Sequence, residues 1–153
     1  MQNNQIYSEI SESLITKSDY ESLQGELDVL EESLYKRGDS GFNKTLKDDV
    51  RGETADLILQ LGQHEDLKTL LENLKKYLTT ETKFLNITLA IDPPKRVVNE
   101  IGQFTKSISG KNVCIDIQVD EKILGGATFD LGGKFVDFSV AKKLEEVLKN
   151  ENL

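Results

Sequence analysis

The pattern of apolar residues changes once along the chain, near residue 83. Before that point leucines and isoleucines recur every three or four positions, the period of an amphipathic helix. After it, runs that alternate apolar and polar residues, the period of a strand, are interleaved with helical spacing. A chain built this way cannot be all-β or all-α. The expected class is α+β: an N-terminal antiparallel helical bundle over residues 1–82, then a small α/β domain over residues 84–153.

In the first part, Ile6, Ile10, Leu14 and Ile15 mark a first helix, followed by a turn at Thr16–Ser18. Ser18 with Glu21 reads as a capping box for a second helix. That helix carries Leu23, Leu27, Leu30 and Leu34 and is expected to end at Gly38, with a loop to Gly41. Phe42, Leu46, Val50, Leu57, Ile58 and Leu61 mark a third helix, interrupted or weakened by Gly52. Leu67, Leu70, Leu71, Leu74 and Leu78 mark a fourth. These stripes have two readings: core packing, or a face left open for a partner helix.

In the second part, residues 84–91 read as a strand, stopped by Asp92-Pro93-Pro94. Asp92 is the expected N-cap, with the prolines in the first turn of a helix carrying Val97, Val98, Ile101, Phe104 and Ile108. Residues 113–119 form the next strand, completing a strand–helix–strand unit. Residues 127–131 and 134–138 flank Gly132-Gly133, a two-residue hairpin turn. Ser139 caps a final helix with Val140, Leu144, Val147 and Leu148 on its apolar face.

Charge follows the same division. Of the 153 residues, the first 83 hold 17 acids and 10 bases, and the rest hold 10 acids and 9 bases. The net charge of −8 opposes nonspecific nucleic-acid binding, which requires cations to displace counterions from phosphates. No apolar run is long enough to span a bilayer, so no direct membrane insertion is expected. The N-terminus lacks the pattern of a secretory signal, and the single cysteine, Cys114, forms no intramolecular disulfide; both suit the cytosol.

Chemistry-bearing motifs are sparse. Gly125-Gly126 and Gly132-Gly133 lack the Gly-Lys-Ser/Thr of a phosphate loop. His64 with Glu65 and Asp66 is a thin metal set and reads as a helix junction. Cys114 sits at an apolar strand position with no adjoining base to activate it. Asp116, Asp120, Asp130 and Asp137 leave an acid–base pair open as an alternative. The expectation is no catalytic residue, no cofactor and no metal.

The segment 119–127 (VDEKILGGA), a short strand, Gly132-Gly133-Lys134, then Val136-Asp137-Phe138-Ser139-Val140 and Leu144 resembles the end of the delta subunit of F-type ATP synthases. The likeness is close over some 35 residues and looser over some 70. An E subunit of V/A-type rotary ATPases is the rival likeness, and the Asp137-x-Ser139 spacing favours delta.

The resemblance implies a non-catalytic stator subunit in proton-driven ATP synthesis, peripheral at the cytoplasmic face of a bacterial plasma membrane. Its helical domain would bind N-terminal helices of the head's alpha subunits, and its C-terminal domain the b subunits of the peripheral stalk. The family's helical domain has about six helices against four read here, which implies a shortened or divergent member. Leu124, Gly125, Gly126, Phe138, Val140 and Leu144 are the candidates for structural motif or stalk interface. Gly125 and Gly126 suit close backbone approach, and Phe138 is either core or contact. Two other classes compete: a free-standing helix-binding adaptor, and a small enzyme using the four strand-side acids.

Overall fold

The computed structural model describes residues 2–63 and 66–151. It is α+β, as expected. Its contacts divide it into a helical unit, up to Leu14 and then Ser18–Thr82, and a sheet unit, Ile15–Lys17 and from Lys83 onward.

The helical unit comprises α1 (Gln2–Ser13), α2 (Lys17–Asp48), α3 (Gly52–Leu61) and α4 (Leu67–Glu81). Its core is the expected leucine set: Leu27, Leu30, Ile58, Leu61, Leu70, Leu71, Leu74 and Leu78 are wholly buried. Removing each such side chain from water contributes about 1.5–3 kcal/mol. Polar ties join the helices at the rim. Lys75 on α4 reaches Asp28 at 2.7 Å and Glu31 at 2.5 Å on α2. These acids' hydrogen bonds hold the Lys75 amine above its usual range.

Glu26 on α2 organises the start of α3. Its carboxylate accepts from the Arg51 backbone at 3.1 Å, from Arg51 Nε at 2.7 Å and from the Thr54 hydroxyl at 2.6 Å. Burial alone would raise the carboxyl, but the bonds from Arg51 and Thr54 outweigh it and keep it below the usual range.

Three expectations in this unit are corrected. No loop runs from Gly38 to Gly41: only Gly38 leaves the helical conformation (φ 63°, ψ −158°), and the chain is helical again up to Asp48. A single glycine suffices because it takes positive φ without a Cβ penalty. The third helix is really two segments, since the chain turns at Asp49–Val50 and Gly52 opens α3 rather than interrupting it. Ser18 lies inside α2 instead of capping it, because Thr16 is paired beside the sheet and the helix begins at Lys17. Asp66 is the cap that the spacing did not reveal: it accepts from the Thr69 backbone at 3.1 Å. The junction reading of His64 and Glu65 lies outside the described residues.

The sheet unit contains β1 (Lys83–Leu89), α5 (Lys95–Ser109), β2 (Val113–Val119), a 3-10 turn (Glu121–Ile123), β3 (Ala127–Leu131), β4 (Lys134–Asp137) and α6 (Val140–Glu151). The order is β2-β1-β3-β4. β1 and β2 are parallel, with Ile87 opposite Ile117, and β3 runs antiparallel to β1 with Phe129 opposite Ile87. The hairpin turn takes φ 58° and 83° at Gly132 and Gly133, as a type I′ turn requires.

The start of α5 differs from the expected one. Asp92 and both prolines precede α5, and Pro94 stands extended at the cap position (φ −63°, ψ 151°). A residue before proline is pushed out of the helical region, so Pro93 cannot join the first turn. α5 buries Gly102, Thr105 and Lys106, while Phe104 and Ile108 of its apolar set are exposed.

A candidate partner-binding surface

The loop from β2 to β3 and the entry to α6 are built against each other. Asp120 accepts from the Lys122 backbone at 3.0 Å and so fixes the 3-10 turn. Leu124 ends that turn at φ 64°, ψ −14°, the only non-glycine with positive φ among the described residues. A bulky residue in this region is strained by roughly 1–2 kcal/mol. Gly125 follows at φ 151°, and its carbonyl accepts from the Val140 backbone at 3.0 Å, at the first residue of α6. Gly126 (φ 74°) runs so close to the next segment that a Cβ there would collide with the Phe138 carbonyl oxygen. Both glycines therefore serve the close approach that their position suggests.

Two side chains complete the entry. Asp137 accepts from the Ser139 backbone at 2.8 Å. The Ser139 hydroxyl and amide hold this carboxyl below its usual range. Ser139 accepts from the Lys142 backbone at 3.2 Å and so caps α6, as its position predicts. α6 is thereby held at its first turn.

The apolar side of α6 is only about half covered among the described residues. Val140, Leu144, Val147 and Leu148 are 46, 48, 51 and 52% exposed, and they share one helical face. Phe138 stacks edge-on against Phe129 at 6.2 Å but remains 59% exposed, and Leu124 is 61% exposed. Of the six sequence candidates, Gly125 and Gly126 thus shape the backbone, and Leu124, Phe138, Val140 and Leu144 present apolar surface. Val136 on β4 is a further exposed apolar residue that the sequence reading did not single out. It lies in the stretch that carries the family resemblance and in a predicted strand, and neither says whether a face is covered. What the arrangement can do is bury the apolar side of a partner segment.

The four strand-side acids are each in local use. Asp116 pairs with Lys17 at 3.1 Å, Asp130 accepts from the Gly133 backbone at 3.0 Å, and Asp120 and Asp137 make the turn and cap bonds above. Cys114 is fully buried in β2. Among the described residues, no three His, Cys, Asp or Glu side chains gather as a metal would require.

These features describe an α+β frame that presents half-exposed apolar surface at α6 and the loop before it. The model of the ATP synthase delta (OSCP) subunit family matches residues 37–150, and the chain belongs to that family. Among relatives, the ATP synthase subunit delta of Rhodopseudomonas palustris (strain BisB18) is 28% identical over 101 residues, covering 63% of this chain and 54% of the relative. That of Nitrobacter hamburgensis is 26% identical over 101 residues, and that of Thermosipho africanus 27% over 82, covering 45% of the latter. The match with these relatives thus spans only about half of their length. A chain in the cryo-EM structure of the Toxoplasma gondii mitochondrial ATP synthase hexamer is similar over 87% of both chains, at 18% identity and a TM-score of 0.38.

Proposed function

We propose that this protein is a peripheral-stalk subunit of an F-type ATP synthase that joins the catalytic head to the stalk while the rotor turns. The observation that carries the reading is the half-exposed apolar face of α6 beside the strained, exposed Leu124, in a chain of the delta family. The two domains, residues 1–82 and 84–153, divide the work. The helical one binds N-terminal helices of the head's alpha subunits. The other binds the b subunits through Leu124, Phe138, Val140 and Leu144. The protein does no chemistry itself; holding the head still lets proton flow drive ATP synthesis.

Its place is peripheral, at the cytoplasmic face of a bacterial plasma membrane. No helix among the described residues is long and apolar enough to cross a membrane. A stator contact must survive torque, which favours a large apolar interface with a charged rim for steering.

The test is affinity capture of the tagged chain from detergent-solubilised membranes. Alpha and b subunits are expected to co-purify with it. Replacing Leu144 and Val140 by Asp is expected to lose the b subunits and keep the alpha subunits. Capture of the intact chain with neither partner refutes the reading. The acidic excess of the helical part predicts that head binding weakens between about 50 and 300 mM salt, because surface charge attraction is screened over this range. Salt-independent binding removes the steering element alone.

A further inference from the structure

Ile15 and Thr16, which connect α1 to α2, and Lys17, which opens α2, are part of the sheet unit. Thr16 forms a parallel bridge with Ile115 of β2, and the Ile115 N–H donates to the Ile15 carbonyl at 2.9 Å. Lys17 Nζ lies 3.1 Å from Asp116 Oδ2. From the helix layer, α5 turns Gly102 toward the same segment. A Cβ at Gly102 would collide with Ile15 Cγ2. Glycine weakens a helix interior, and here its missing side chain makes the notch that Ile15 fills.

A backbone hydrogen bond, an ion pair and a side chain seated in a notch thus converge on three consecutive residues. They cover the outer edge of β2, which would otherwise stand open to pairing with another chain. The chain consequently passes between the two units at three points, after Leu14, after Lys17 and after Thr82.

We propose that Ile15-Thr16-Lys17 is a clasp that fastens the start of α2 and the residues before it to the outer edge of β2 through a single parallel bridge, a backbone hydrogen bond and an ion pair. Its use as a brace against torque rests on the stator reading. The clasp itself does not.

The direct test is the double variant Ile15→Cys with Gly102→Cys in the full chain. An ideal Cβ at Gly102 lies 3.6 Å from Ile15 Cβ, inside the roughly 3.5–4.5 Å that a disulfide requires. Mild oxidation is expected to give a monomeric, faster-migrating species in nonreducing electrophoresis, with one free thiol left, the buried Cys114. Three free thiols, or only intermolecular dimers, overturn the clasp.

A second measurement spares the notch. Lys17→Glu is expected to speed amide exchange at Ile115 about threefold, as loss of a half-exposed ion pair allows. Adding Asp116→Lys should restore it. An Ile115 amide that is unprotected in the unmodified chain overturns the proposal. In the assembled synthase, ATP synthesis is expected to be unchanged by locking the disulfide. Loss of synthesis on locking would show that the clasp opens during turnover, and the brace would be rejected. Failure of partner capture, by contrast, removes the stator reading and leaves the disulfide result standing.

Discussion

α4 and α6 carry nearly the same apolar spacing and meet opposite fates. On α4, Leu70, Leu74 and Leu78 stand four apart, with Leu71 beside them, and all are wholly buried. On α6, Val140 and Leu144 stand four apart, with Val147 and Leu148 one turn on, and each is about half exposed. Periodicity selects a helix and one face of it. It does not say what covers that face. In the helical unit the neighbouring helices cover it. In the sheet unit α6 is held by its first turn, and its apolar face stays about half exposed.

The comparison can be broken by cutting both faces in the same way. Leu74→Ala is expected to cost about 3 kcal/mol, since a fully buried leucine leaves a cavity that relaxes only in part. Urea unfolding followed by circular dichroism measures it. Next comes Gly126→Ala, at about 2 kcal/mol, because the new Cβ needs positive φ and meets the Phe138 carbonyl. The same substitution at Gly25, where nothing lies within 4 Å, serves as its control.

Glu26→Gln should cost about 1.5 kcal/mol, the scale of a charge-assisted hydrogen bond. Its pH dependence has a defined sign. The folded-state pKa of Glu26 is lowered, so its contribution is complete above the ordinary carboxylate range. It is lost as pH falls through the lower folded value. Unfolding of the Gln variant should therefore converge with that of the parent only at pH below the ordinary carboxylate range. Ser139→Ala removes the α6 cap and should cost about 1 kcal/mol, read as fraying of that helix by amide exchange.

What could be read from the residues followed from short-range chemistry. The leucine core, the β1–α5–β2 unit, the Gly132-Gly133 turn and the Ser139 cap each depend on neighbours a few positions away. The misses have longer reach or subtler geometry. Nothing near Ile15 announces a partner at Ile115, and Lys17 meets an acid 99 positions later. Gly38 does end one helical stretch, as its residue type suggests, but the loop expected after it is absent, because helix-forming residues follow at once. The double proline reads as a first turn until the constraint of one proline on the residue before it is applied.

For the surface, Gly125 and Gly126 were legible as places of close approach. The left-handed conformation of Leu124 was not, since it is imposed by the capped turn before it and the glycines after it. The exposure of α6 was not legible either, because periodicity picks out an apolar face without saying what covers it.

The smallest stability effect sharpens the comparison most. Leu144 is 48% exposed, so truncation to Ala forfeits only about half of a leucine's burial, under about 1 kcal/mol. Ala is also the stronger helix former, which returns a few tenths of that. If α6 is an unfilled docking face, Leu144→Ala should leave urea unfolding almost unmoved. Capture of the b subunits should still weaken by about tenfold, because in the complex the side chain is fully enclosed and its loss is felt in full. A cost close to that of Leu74→Ala in the isolated chain, with capture unchanged, would instead make the face of α6 part of a core. The difference drawn between the two helices would then disappear.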